Sequence, residues 1–331
     1  MNLDAAEIER RVNDSYELPN RVLEAIPAPV VTVRTYTYQH APYIRDCIEG
    51  VLAQKTAFPF EYIIGEDFSA DGTREIVFEY AQRYPDVIRV VTADYNVGAK
   101  ANVYRCIKRT RGKYIALCDG DDYWIDPNKL QKQFEFMETN PEYSMCCHDA
   151  IAIRHDKRGL PHYVSLPNLP RRLDINNDLS SIVSHIPTAS LFARSYIANY
   201  LPCAYYLTTD NGDTALRLWC AHHGPIAYDS NIMSIYRLHP TSMSGMLKSN
   251  TIAFYETSIN LYKEFDKGTN FQHTRVIKLQ IKIIQDKMRF CRHRRFVGRF
   301  AFFLYPKILA EVLLDYLNLI RDYRTGHQRV P

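Results

Sequence analysis

Three carboxylates surround one glycine in Asp119-Gly120-Asp121-Asp122, directly after the apolar run Tyr114-Ile115-Ala116-Leu117-Cys118. Asp119 and Asp121 flank a single residue, a spacing that lets both approach one hard divalent cation. Magnesium and manganese accept such oxygen ligands readily. A polar turn capping a helix would use the same residues, so the surroundings have to decide. The preceding run is apolar almost throughout, as expected of a central strand covered on both faces. Carboxylates at its end then sit at the carboxyl edge of a sheet, where open α/β sheets bind ligands.

The elements that must position this loop follow a repeating order. Residues 30–35 read as a strand, followed by the polar cluster Thr35-Tyr36-Thr37-Tyr38-Gln39-His40 and a helix through Ile44, Ile48, Val51 and Leu52. Residues 62–65 read as a second strand, followed by a polar loop over 66–73 and a helix through Ile76, Val77, Tyr80, Ala81 and Tyr84. Residues 87–92 repeat the pattern, with a loop over 96–100 and a helix through Val103 and Ile107. The run before Asp119 is the fourth strand. Alternating strands and helices predict an α/β fold with a mostly parallel sheet and right-handed crossovers, so all four loops gather along one edge.

Further on, a helix through Leu130, Phe134 and Met137 leads to a strand near 145–148. Residues 154–186 read as a loop-rich segment over the site, of the kind that often serves as a lid or binding loop. Residues 189–193 and 232–238 read as strands and 213–223 as a helix. Residues 1–29 carry a short helical pattern around Ile8 and Val12, then Pro19, Pro27 and Pro29, and suggest no function. The expected organisation is an N-terminal extension (1–29), a sheet domain (30–245) and a basic amphipathic helical region (246–331).

With 331 residues, 46% hydrophobic and 24% charged, the chain is globular and not disordered. Its eight cysteines form no CxxC pair, which points to reduced thiols and neither a zinc site nor a disulfide framework. The opening residues lack the apolar core of a signal peptide, and no run reaches the roughly 18 apolar residues of a spanning helix. The expectation is a cytoplasmic protein. Charge is uneven: residues 275–331 hold 13 Lys and Arg against 4 Asp and Glu, leaving 28 against 33 before them.

Four motifs in this order resemble those of family 2 glycosyltransferases, the inverting enzymes of the GT-A (Rossmann-like) fold. Thr37-Tyr38-Gln39-His40 resembles the family's Thr-Tyr-Asn-His, and Glu66-Asp67-x-Ser69-x-Asp71-Gly72-Thr73 its Asp-Asp-x-Ser-x-Asp-Gly-Thr. Asp119-Gly120-Asp121 resembles its Asp-x-Asp metal motif, and Tyr236-Arg237-x-His239 the Tyr-Arg-x-His that closes the domain. Tyr36 stands where many members have proline.

The resemblance covers about residues 30–245. It implies a nucleotide-diphospho-sugar donor, most often a UDP-sugar, and a Mn2+ or Mg2+ ion that stabilises the leaving diphosphate. Asp121 then contacts the metal, Asp119 holds the ribose or the ion, and Asp122 takes either role or supports the loop. Asp67, with Glu66 beside it, holds the base or ribose, although an Asx turn with Ser69 also explains it. Tyr36 or Tyr38 stacks on the base, or else each is a core aromatic. His239 reaches the metal or the diphosphate, and Arg237 neutralises phosphate charge. Lys100 is a donor contact or a solvated lysine.

Inversion by direct displacement needs a carboxylate to take the acceptor hydroxyl's proton. Asp213 matches the second residue of the family's Glu-Asp motif, with Gly212 in place of the Glu, and is the expected base; a helix N-cap is the structural alternative. Asp210 is the second candidate.

The basic residues of 276–320 alternate with apolar and aromatic ones, a pattern that lies on anionic membrane surfaces. That would bring the site to a lipid-linked or glycan acceptor at the inner face of the cytoplasmic membrane. A helical extension packed on the domain, or one pairing two protomers as a homodimer, fits equally. No recognised nucleic-acid module accompanies the tail, which argues against nucleic-acid binding. Two other functions stay open: a sugar-nucleotide-binding protein without turnover, and a nucleotidyltransferase, against which the loop order argues.

Overall fold

The computed structural model describes residues 4–20, 28–154, 161–164, 169–184, 186–199, 212–239, 242 and 251–297. The first half runs α1 (Ala5–Asn13), β1 (Tyr16–Glu17), β2 (Val31–Thr37), α2 (Ile44–Leu52), β3 (Phe60–Glu66), α3 (Thr73–Arg83), β4 (Ile88–Thr92), α4 (Ala99–Ile107), β5 (Tyr114–Leu117), β6 (Tyr123–Trp124) and α5 (Lys129–Thr139). It continues as β7 (Met145–Arg154), β8 (His162–Tyr163), β9 (Arg172–Leu173), α6 (Ile175–Ser184), a 3₁₀ turn (Thr188–Ser190), β10 (Phe192–Arg194), α7 (Ser195–Ala198), α8 (Gly212–His223), β11 (Ile226–Leu238), α9 (Thr251–Gly268) and α10 (Thr274–Val297).

The sheet has the order β1-β4-β3-β2-β5-β10-β7-β11-β6. Its β4-β3-β2-β5 part is parallel, as the alternating pattern predicts, so the loops after these strands share one edge. β10 inserts antiparallel between β5 and β7, and β11 returns parallel to β7. Helices cover both faces of the parallel part, which explains why its strands read as continuous apolar runs. Val31 and Val33 of β2 pack with Ile44, Cys47, Ile48 and Val51 of α2 in the main core. On the other face Tyr36 lies against Ile63, Val91 and Cys106. Ile8 and Val12 of α1 pack on Val97 and Ala101 at the start of α4, and β1 pairs with the β4 edge. The N-terminal segment therefore braces the loop before α4.

Three elements differ from the sequence expectation for local reasons. β11 starts at Ile226 and not at 232, because the exposed residues 229–231 interrupt its apolar pattern while a register shift between Asp229 and Ile232 preserves the pairing with β7. The expected strand over 189–193 begins as a 3₁₀ turn, closed by Ser190, whose backbone N–H and hydroxyl both donate to the Pro187 carbonyl. Within 154–186, a helix forms at Ile175–Ser184, with a break at Asp178, whose carboxylate accepts from the Asp174 N–H.

Contacts divide the chain into two units, Met1–Ile281 and Lys282–Pro331. The first holds the sheet and α9, which buries Leu261, Tyr262 and Phe265. In the second, the described residues continue the α10 helix to Val297. Among the described residues no helix is long and apolar enough to cross a membrane.

Candidate functional site

β2 and β5 run side by side with Arg34 beside Leu117, so their loops leave the sheet together. The pairing extends past the strands: Cys118 N–H donates to the Arg34 carbonyl and Gly120 N–H to that of Tyr36, each at 3.1 Å. Asp122 N–H donates to the Asp119 carbonyl at 3.0 Å and closes a tight turn. Gly120 is needed for steric reasons, since a Cβ there would lie 2.7 Å from Thr37 Oγ1 and 2.8 Å from His40 Nδ1. The acid loop is thus pressed onto the Thr37–His40 loop.

Asp121 Oδ2 lies 3.0 Å from Nε2 of His239, the histidine of the Tyr-Arg-x-His motif, which stands just past the end of β11. Tyr43 lies along the His239 ring at 4.7 Å between centroids, and His40 meets it edge-on at 6.3 Å. Burial alone would push the Asp121 carboxyl up, but the His239 hydrogen bond and the charges of His40 and His239 hold it below its ordinary range. Asp119 goes the other way. Burial, then the charges of Asp121 and Asp213, raise it well above the carboxylate range. Asp122 is fully enclosed and also raised, by burial and then Asp121, while its Oδ1 accepts the Arg237 N–H at 2.9 Å. That bond ties the acid loop to β11. Burial lowers His40, with Asp121 pulling less strongly in the opposite direction.

Arg237 turns its guanidinium to the Asp121 carbonyl (3.1 Å) and the Asp46 carboxylate, 4.3 Å from the Tyr123 ring centroid. In this arrangement it fastens the acid loop from behind. On the β3 side, Asp67 accepts the N–H groups of Val97 (2.8 Å) and Gly98 (3.0 Å), one on each carboxylate oxygen. Burial raises it despite those bonds. Glu66 is wholly buried and accepts from Ser69 N–H, Arg74 and Thr92, so it closes its own loop. Tyr36 is packed under the loops, its phenol pushed up to about 12 by burial, whereas Tyr38 is 46% exposed at the same edge. Lys100 lies half-buried in the first turn of α4.

Asp213 lies in the first turn of α8. Thr188 Oγ1 donates to its Oδ2 at 2.9 Å and Arg217 Nη1 forms an ion pair with the same oxygen at 2.9 Å, while Oδ1 accepts the Thr214 N–H at 2.7 Å. Asp213 comes near enough to the acid loop for its charge to raise Asp119. A second link runs through Trp124, which follows the acid loop and donates Nε1–H to the carbonyl of Ala189, next to Thr188. Asp210 lies outside the described residues.

Among the described residues no three His, Cys, Asp or Glu side chains form a ready-made cation cage. The donor set still fits a divalent ion. Asp121 and His239 present an oxygen and a nitrogen 3.0 Å apart, and Asp119 is a carboxyl raised by burial and then by like charge, both of which a cation would offset. Magnesium and manganese sites commonly use one or two carboxylates and leave the rest to water and phosphate. The residues of this site to which the sequence assigns no role include His40, Thr188 and Arg217. His40 belongs to the Thr37–His40 motif, and Arg217 stands one helical turn after Asp213. Thr188 offers no signal, because it arrives from a distant turn.

The family described as Glycosyl transferase family 2 matches residues 32–201. The Mycobacterium tuberculosis protein Rv1520 is 34% identical over 233 residues, 69% of this chain and 64% of the relative, so the match spans under two thirds of that relative's length. S. aureus TarS 1-349, solved in complex with UDP-GlcNAc, superposes with a TM-score of 0.58 at 17% identity, covering 88% of this chain and 80% of the 1-349 chain. The Pyrobaculum calidifontis mannosyltransferase PcManGT, solved with GDP-Man and Mn2+, superposes with a TM-score of 0.51 at 13% identity, covering 97% and 88%. At these identities the two structures establish the GT-A architecture.

Proposed function

Because the chain belongs to glycosyl transferase family 2, we propose that it transfers a sugar from a nucleotide-diphospho-sugar, of the UDP class, to a hydroxyl of a glycan or lipid-linked acceptor, with inversion. The observation that carries this reading is the meeting of Asp121, His239, Asp119 and Asp213 at one sheet edge from separate stretches of chain. In the proposed step the acceptor oxygen bonds to the anomeric carbon as the bond to the diphosphate oxygen breaks. The electron pair leaves with the diphosphate, and the acceptor's proton passes to Asp213. Asp121 and His239 would hold a Mn2+ or Mg2+ ion, with Asp119 turned to the ribose or the ion. That ion, when bound, supplies Lewis-acid stabilisation of the leaving charge. Tyr38 offers an exposed ring for the base, and the Asp67 loop its polar edge. PcManGT binds GDP-Man and Mn2+, and TarS binds UDP-GlcNAc; both support a nucleotide-sugar donor here.

The test is a thermal-shift screen of UDP-GlcNAc, UDP-glucose, UDP-galactose and GDP-mannose with and without Mn2+, followed by nucleotide release by wild type and Asp213→Asn. A donor that binds only the folded state raises Tm. Stabilisation by one donor in the presence of Mn2+, with release lost in Asp213→Asn, is expected. A binding protein without turnover would give the stabilisation and no release from either protein. The basic residues of 276–320 supply a route to an anionic membrane surface, which binding to phosphatidylglycerol vesicles at low and high salt would test.

A further inference from the structure

The contacts around Asp213 use its two oxygens unequally. Oδ2 accepts a hydrogen bond from Thr188 Oγ1 at 2.9 Å and forms an ion pair with Arg217 Nη1 at the same distance. Among the described residues Oδ1 takes the Thr214 N–H at 2.7 Å and no second donor. Oδ2 is covered by these two groups, which leaves Oδ1 as the oxygen turned to a further proton donor. The side chains that impose this are fixed independently of Asp213. Arg217 is buried, and its guanidinium also donates to the Ile186 carbonyl (2.6 Å), the Val183 carbonyl (3.3 Å) and Thr214 Oγ1 (2.8 Å). Thr188 stands in the 3₁₀ turn whose Ala189 carbonyl is held by Trp124, which closely follows the acid loop.

We propose that Arg217 and Thr188 are positioning residues for the base: by engaging Oδ2, Thr188 through a hydrogen bond and Arg217 through an ion pair, they fix the Asp213 carboxylate so that Oδ1 faces the incoming acceptor. Trp124 carries the same constraint to the acid loop, so the proton acceptor and the Asp119–Asp121 turn keep one distance. The proposal rests on Asp213 being the base. Neither residue touches donor or acceptor in this role. Their effect falls on the rate of the bound complex and not on donor affinity, since a misplacement of about 1 Å at the reacting groups costs on the order of 100-fold in rate.

The experiment takes the donor that most stabilises wild type in the screen above, with Mn2+ and with water as the acceptor, and measures nucleotide release and the donor-induced Tm shift. Wild type, Asp213→Asn, Arg217→Met, Arg217→Lys and Thr188→Val are compared. Expected are a kcat loss of order 100-fold in Arg217→Met, and a loss of about 10-fold in Thr188→Val, the effect of one hydrogen bond to a charged group. The donor-induced Tm shift stays at its wild-type value in both, and Arg217→Lys recovers part of the rate because its ammonium can still reach Oδ2. Arg217 also ties two backbone carbonyls, so Arg217→Met is a test only if it folds; Thr188 is half-buried and its variant keeps the proposal open to refutation. An inactive Asp213→Asn beside a Thr188→Val at the wild-type rate overturns the positioning role and leaves the base. A rate loss matched by an equal loss of the donor-induced shift also overturns it. An Asp213→Asn as fast as wild type, or no release by wild type from any donor, removes the base reading and this proposal with it.

Discussion

His239 Nε2 lies 3.0 Å from Asp121 Oδ2, and this contact joins the end of the long strand β11 to the loop that follows β5. The two residues are far apart in sequence, yet the β11–β6 pairing of Ser234 with Trp124 brings their stretches together. With Tyr43 along one side of the imidazole, His239 has little freedom to turn away.

Replacement at this pair should therefore separate metal loss from loss of fold. Asp121→Asn is expected to abolish nucleotide release and the Mn2+-dependent part of the donor-induced Tm shift, while the Tm of the free protein stays near wild type. His239→Gln should reduce activity by more than about 10-fold, the lower bound for residues that only support a metal's ligands. An Asp121→Asn protein with full Mn2+-dependent stabilisation would exclude Asp121 as the metal's seat.

Gly120 supplies a steric test. Its backbone is not among those with positive φ, so alanine meets no conformational barrier, only the Thr37 hydroxyl at 2.7 Å and His40 Nδ1 at 2.8 Å. Overpacking of this kind costs about 1–3 kcal/mol. Gly120→Ala should lower Tm by several degrees and weaken donor binding together, as the acid loop lifts from the Thr37–His40 loop. Unchanged Tm and donor binding would show that the two loops are not in contact.

A pH effect is expected away from this edge. His222 Nδ1 lies 3.0 Å from His273 Nε2, and His273 Nδ1 lies 3.1 Å from Asn176 Oδ1. One hydrogen between the two rings suits neutral imidazoles; a second proton would set two N–H groups against each other. Burial lowers both histidines, with His223 adding to the effect at His222, while Asp266 and Asp174 pull His273 weakly upward. In the unfolded chain each titrates near ~6.5. The unfolded state then binds more protons below that pH, so this stability is complete above about 6.5 and is lost as pH falls toward the lower folded values. Tm curves of wild type and His273→Gln between pH 8 and 5 should converge on the acid side. Parallel curves would remove the histidine pair as the source.

Much of this is legible in the sequence because the parallel strands announce themselves. The apolar run before Asp119 and the three strand-loop-helix repeats before it place four loops on one edge, and the structure keeps that order. What the sequence hides is who holds whom. Glu66 and Asp67 read as donor-binding acids, and the structure adds that backbone N–H groups of their own and the neighbouring loop hold both carboxylates, with one such bond on each Asp67 oxygen. Nothing in the spacing distinguishes an acid that closes a loop from one that binds a ligand. β11 reads short because residues 229–231 are polar, and strand pairing across a register shift leaves no trace in hydropathy. Thr188 reaches Asp213 through tertiary structure alone.

Lys129 gives the sharpest test of the core behind the acid loop. It is fully buried, its Nζ 4.0 Å from the Trp124 ring centroid and 2.6 Å from Gln133 Oε1, and among the described residues no carboxylate forms an ion pair with it. Burial pushes its ammonium down to about 7, against weak upward pulls from Cys118, Cys146 and Asp126. The unfolded lysine titrates near ~10.4. Between these values the unfolded chain holds a proton that the folded one has released, so stability rises with pH from about 7 to about 10.4 and is lowest below that window. Lys129→Met keeps the apolar stem over Trp124 and removes the titrating group. The cation–π contact it gives up is worth about 0.5–2 kcal/mol, less than a burial effect large enough to bring a lysine to neutrality. Lys129→Met should therefore raise Tm at pH 7 by a few degrees and abolish the alkaline rise in stability that wild type shows. A lower Tm at pH 7 with the alkaline rise intact would mean that Lys129 stays charged and well paired in the fold.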